Sequence, residues 1–167
     1  QAAGLTAEVK VEDEFSRQIT PEVEQAVQML NQTMQTVYAW ELDREVAIWL
    51  VPTRRDYQNV LRRQFSLSEA EARHVSQMTT GWTAGRMVLT NLEGVVSAAE
   101  RKHHFAHELT HQYTYSLVDE AQAAELLWLS EGFAEVAAFQ ASGIDGPDVW
   151  LQTLRLAPAL PYLSQLR

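Results

Sequence analysis

The residues best suited to chemistry lie in one short segment, where four of the five histidines fall between residues 103 and 111. Two of them form the pattern His107-Glu108-Leu109-Thr110-His111. On a helix, positions i and i+4 lie one turn apart on the same face, so both imidazoles can bind one ion. Glu108 then projects beside them towards a water bound to that ion. The spacing suits zinc, although a solvated helix can reach the same pattern by chance.

Two carboxylates stand out downstream, in segment 126–139, which is apolar around nearly the whole circumference of a helix. Such a segment predicts a buried helix. Glu131 and Glu135 lie four residues apart on one face of it, with Ser130 as a candidate N-cap. A buried carboxylate is costly unless it is paired, neutralised or bound to metal. The alternative is that both reach solvent or form ion pairs with a basic residue: Arg86, Arg101 or Lys102.

Three strands are predicted in the first part of the chain. Residues 5–12 alternate between apolar and polar side chains, which indicates a half-buried strand. Residues 45–51 are almost continuously apolar, as in a central strand of a sheet. Residues 86–90 form a third short strand, and the glycines around it favour an edge position.

The helices are predicted from apolar spacing and capping residues. Thr20 as N-cap and Pro21 at the first helical position begin a helix that runs to Tyr38. Residues 53–78 contain two helices, the second capped by Ser68. From about residue 98 to 142 the chain is helical, with an interruption near 118–121. Strands with helices first and helices alone afterwards indicate an α+β fold with a mixed N-terminal sheet.

Composition excludes several classes of function. The chain has 167 residues, with 13 Lys and Arg against 22 Asp and Glu, and no cysteine. This charge balance argues against a nucleic-acid partner. Without cysteine, a metal must be held by histidine and carboxylates. No segment has the length of a transmembrane helix, and the start at Gln1 suggests a removed leader or upstream region.

The motif and the downstream carboxylates together resemble the gluzincin metallopeptidases, and most closely the small bacterial peptidase-MA-like branch. The likeness consists of His107-Glu108-x-x-His111, nineteen intervening residues, and Glu131 within Trp128-Leu129-Ser130-Glu131-Gly132-Phe133-Ala134-Glu135. It implies a zincin-like fold in which His107, His111 and Glu131 bind Zn2+. It further implies that Glu108 is the general base and that Glu135 holds a zinc-bound imidazole in place.

The resemblance implies a zinc-dependent metallopeptidase that hydrolyses a peptide or protein substrate. Glu108 would take a proton from a zinc-bound water and deliver it to the leaving amine. An extended substrate would pair with the edge strand near residues 85–90. The donor that stabilises the oxyanion is open, because each candidate is more often a packing residue; the candidates are His74, Tyr113, Tyr115 and Tyr162.

We expect a single domain over residues 1–167. Its parts are a strand and helix part to about residue 98, active-site helices over 99–142, and a short helical part over 143–167, truncated relative to the larger members of the family. Members of this family commonly follow a signal sequence or a membrane anchor, which favours an extracytoplasmic location. Two alternatives stay open: a zinc-binding module that binds peptides or proteins without cutting them, and a metal-free scaffold with ordinary helix residues at these positions.

Overall fold

The fold is described from a computed structural model of the chain, which describes residues 4–11, 13–118, 122 and 125–144. Four strands and five helices lie in these residues, and they form an α+β fold with a mixed sheet, as predicted. In chain order they are β1 (Leu5–Val11), α1 (Glu14–Tyr38), β2 (Arg44–Val51), α2 (Arg54–Gln64), α3 (Glu69–Met78), β3 (Gly81–Ala84), β4 (Met87–Asn91), α4 (Ala98–Leu117) and α5 (Leu127–Ser142). The C-terminal part predicted for residues 143–167 lies outside the described residues after Ile144.

The strands lie in the order β1-β2-β4-β3. β1, β2 and β4 run parallel, and β3 runs antiparallel to β4. β2 is internal, as its apolar sequence predicted. The prediction that the strand over residues 86–90 is an edge strand was wrong, because β3 pairs with its outer side. Gly85 has φ 56°, which allows the tight reversal that places β3 there.

Helices cover both faces of the sheet. On one face, α1 and α4 pack on the sheet and α5 packs on these two helices, around a core that includes Leu30, Ile48 and Phe105. On the other face, α2 and α3 enclose a smaller core around Tyr57 and Leu61. The larger core therefore fixes α4, the helix that carries His107-Glu108-x-x-His111, directly against the sheet.

The first helix begins earlier than predicted. The N-cap of α1 is Asp13, whose carboxylate accepts a hydrogen bond from the Ser16 N–H at 2.8 Å, and Pro21 lies inside the helix. A proline inside a helix costs about 3 kcal/mol. Ser16 and Ile19 are buried upstream of it, so the cap and this burial extend the helix through the proline. Thr20 is thus an interior residue and not the N-cap.

The last described helix is less buried than its sequence predicted. α5 packs on α4 and α1, and its alanines at positions 134, 137, 138 and 141 are buried. Leu127, Trp128, Leu129 and Val136 are all at least half exposed. An apolar circumference therefore does not make this helix a central one, because the described elements of the domain pack on one side of it. Among the described helices, none is long and apolar enough to cross a membrane.

The buried face of α4 should carry much of the stability of the fold. Leu109 is 0% exposed, whereas Leu117 on the same helix is 71% exposed. We expect Leu109→Ala to lower the free energy of unfolding by about 2–5 kcal/mol, because it removes buried methyl groups and leaves a cavity. Leu117→Ala is the matched control and should change it by no more than about 0.5 kcal/mol. Urea denaturation with a chelator present measures both, and equal effects would contradict the assigned packing.

Candidate metal centre

The structure brings His107, His111 and Glu131 together. The two histidines lie one turn apart on α4, with ring centroids 5.2 Å apart. Glu131 comes from α5, and its carboxylate lies 3.2 Å from Nε2 of His107 and 3.5 Å from Nε2 of His111. The three candidate ligand atoms all lie within 4.8 Å of one another. Two helices thus bring two nitrogen atoms and one carboxylate to a common point.

The other nitrogen of each imidazole has its own partner. Nδ1 of His107 lies 2.9 Å from Oε2 of Glu135, and Nδ1 of His111 lies 3.1 Å from Oγ of Ser130. Zinc-binding histidines commonly donate their second N–H to such groups, which fixes the ring orientation. Ser130 lies within α5 and is not its N-cap, because the helix begins at Leu127. Its role was missed because hydroxyl contacts between helices leave no periodic signal.

These residues fit a zinc ion. Two imidazole nitrogens and one carboxylate are a common ligand set for catalytic zinc, which keeps a further position for water or substrate. Glu131 is 47% exposed at its side chain, so the prediction of a buried carboxylate was wrong at this position and the cluster borders solvent. Arg101 was one alternative partner for Glu131 or Glu135. In the structure it pairs with Glu22 instead, with Nε 2.7 Å from Oε2.

Glu108 lies beside this cluster and is almost fully buried, with 8% of its surface exposed. Burial raises the pKa of its carboxyl group, against the opposing influence of His107 and of the Thr83 hydroxyl. Thr83, on β3, donates a hydrogen bond to Oε2 at 2.7 Å. A raised pKa brings a carboxylate closer to the range in which it can accept and return a proton near neutral pH.

Without metal, the charges of the cluster are distributed unevenly. Burial lowers the pKa of His107, but its hydrogen bonds to Glu131 and Glu135 outweigh burial and raise it to about 10. Burial and the nearby His107 lower the pKa of His111 to about 4. The hydrogen bond from His107 lowers the pKa of Glu131 despite partial burial. At neutral pH the metal-free cluster therefore holds one proton that a metal must displace, on His107.

Zinc affinity should consequently rise with pH. Between about pH 6 and 8, one proton leaves His107 as zinc binds, so the apparent affinity should increase about tenfold per pH unit. His111 and Glu131 are already deprotonated there and add no further dependence. Calorimetric titration in buffers of different ionisation enthalpy counts the released protons, and we expect at least one per zinc at pH 7, since ionisation of a zinc-bound water would add to the proton from His107. A flat pH profile, or zinc binding without proton release, would contradict this charge distribution.

The cluster opens into a pocket of about 970 Å³. β3 borders it along its whole length, and Tyr115 and Phe139 also line it. Among the described residues, Tyr115 is the only predicted oxyanion donor that lines this pocket. Its ring is stacked on that of His111, with ring centroids 5.9 Å apart. Tyr113 is buried and donates to Asn31 at 2.6 Å, His74 lies on the separate helix α3, and Tyr162 is outside the described residues.

Comparisons with protein-family profiles, with curated proteins and with solved structures returned no match to this chain. The chemistry of the site therefore has to be argued from its own residues and distances.

Proposed function

We propose that this protein is a zinc-dependent peptidase. The observation that carries the proposal is the convergence of His107, His111 and Glu131 within 4.8 Å beside the buried carboxylate of Glu108. Three ligands with both outer nitrogens partnered favour a preorganised metal site. The carboxylate next to them is a group that a purely structural zinc site does not need.

The residues divide the chemistry between them. Zinc bound by the three ligands would polarise a substrate carbonyl and lower the pKa of a water. Glu108 accepts the proton of the attacking water and returns it to the leaving amine, so that it ends the cycle in its starting state. Glu135 and Ser130 keep the imidazoles oriented throughout.

The sheet offers a way to hold an extended peptide. β3 is an edge strand of the described sheet and lines the pocket next to Glu108. The main-chain groups on the outer side of an edge strand can pair with a peptide, and this contact reads the backbone and not the side chains. The strand that pairs with the substrate is therefore β3 (Gly81–Ala84), in place of residues 85–90.

The function is tested by metal analysis combined with a peptide library. We expect about one zinc per chain in protein purified without chelator, and cleavage of peptides that stops on zinc removal and returns on zinc addition. Stoichiometric zinc with peptides bound but never cut would favour the binding module instead. The absence of bound zinc, including after zinc is added, would overturn the proposal and favour the metal-free scaffold.

A further inference from the structure

We propose that the edge strand β3 positions the carboxylate of Glu108. Thr83 donates the hydrogen bond that fixes its orientation, and Gly81, which has no side chain, leaves room for it. This inference rests on the proposed function, because positioning matters only if Glu108 moves protons. It assigns to β3 a role besides its pairing with a peptide.

Thr83 makes two contacts with Glu108. Its hydroxyl oxygen lies 2.7 Å from Oε2 of the carboxylate and 3.2 Å from the main-chain oxygen of the same residue. A hydroxyl has one proton to donate, and the shorter distance and the negative charge both favour the carboxylate. Thr83 thus holds one oxygen of the Glu108 carboxylate by a hydrogen bond from β3.

Gly81 lies on the same face of β3, because residues two apart on a strand point to the same side. A Cβ added at Gly81 would overlap the Glu108 carboxylate and lie 2.7 Å from Cε1 of His104. Gly81 is itself buried, so a side chain at this position would have to displace the Glu108 carboxylate or the His104 ring. Glycine at this position therefore allows the Glu108 carboxylate to lie directly against the strand.

Trp82, between them, lies on the opposite face of the strand. Its ring packs against Phe65 with centroids 6.4 Å apart, in the smaller core under α2 and α3. One face of β3 is thus anchored in the smaller core by Trp82, and the opposite face contacts Glu108. Rigid anchoring of this kind is what holds a catalytic group within a few tenths of an ångström of its working position.

The experiment compares Thr83→Val, which has nearly the same shape but no donor, with Thr83→Ser, which keeps the hydroxyl. We expect Thr83→Val to lower kcat about tenfold with little change in KM and with one zinc per chain retained, because it loses a hydrogen bond to a charged group. Thr83→Ser should recover most of this loss. Gly81→Ala should lower kcat further, since it displaces the carboxylate.

A second measurement does not depend on activity. In metal-free protein labelled with ¹³C at the glutamate carboxyl groups, the Glu108 signal is identified by its absence in Glu108→Gln. We expect Thr83→Val to shift this signal and Thr83→Ser to leave it nearly in place. An unshifted signal in Thr83→Val would overturn the inference. A shifted signal in a protein that cuts no peptide would support the positioning by Thr83 while the proposed function fails.

Discussion

Glu108→Gln should lower kcat for peptide cleavage by about 10²–10⁴-fold, the usual contribution of a general acid–base group. Glutamine has nearly the same shape, and its amide oxygen can still accept the hydrogen bond from Thr83. It cannot accept a proton from water, so the chemical step is lost while the site stays intact. Zinc content should remain near one per chain, because Glu108 is not among the three ligands.

The control for this substitution is Glu125→Gln, at an exposed glutamate just before α5. It should leave both kcat and zinc content unchanged, since Glu125 does not belong to the cluster. Steady-state kinetics and metal analysis on the same preparations separate the two effects. Full activity of Glu108→Gln would exclude the proposed mechanism, and loss of its zinc would mean that Glu108 supports the metal and not the proton transfer.

Glu131→Ala should abolish stoichiometric zinc binding. The substitution removes the only carboxylate among the three ligands and leaves two imidazoles, which rarely complete a zinc site. We expect the affinity to fall by more than the roughly 10–100-fold that follows loss of an outer hydrogen-bond partner. Glu135→Ala provides that comparison, because it removes the partner of Nδ1 of His107 and keeps every ligand.

Competition with a chelator of known affinity measures the zinc binding of both variants. Glu125→Ala, at the same exposed glutamate, should bind zinc like the unchanged protein. A larger loss in Glu135→Ala than in Glu131→Ala would indicate that the two carboxylates have exchanged roles. Unchanged affinity in Glu131→Ala would remove Glu131 from the ligand set.

The parts of the site that depend on local spacing could be predicted from the sequence. His107 and His111, and likewise Glu131 and Glu135, lie four residues apart on helices, and that spacing alone puts each pair on one face. Thr83 could not be found in this way, because its contact with Glu108 spans 25 residues and depends on the sheet order. The prediction that residues 86–90 form an edge strand failed for the same reason. Nothing in these residues indicates that β3 pairs with their outer side.

The same limit applies to the helix ends and to burial. Thr20 and Pro21 form a good start signal, but burial of Ser16 and Ile19 outweighs it and the helix begins at Glu14, after the N-cap Asp13. The apolar surface of α5 predicts burial, but how much of a helix is covered depends on its neighbours. Helix start signals and apolar faces can be recognised in the sequence. Tertiary packing decides which of two competing signals prevails.

The way in which α5 is held against the domain has a consequence for the metal. Its buried side is mostly alanine, which offers little apolar surface, and its Phe133 ring packs on that of Tyr38 with centroids 5.1 Å apart. Glu131 reaches the histidines only while this helix is docked, so the zinc affinity of the proposed site would equal the intrinsic affinity multiplied by the docked fraction. Residues such as Phe133, outside the proposed ligand set, would thereby set the free zinc concentration at which the site fills.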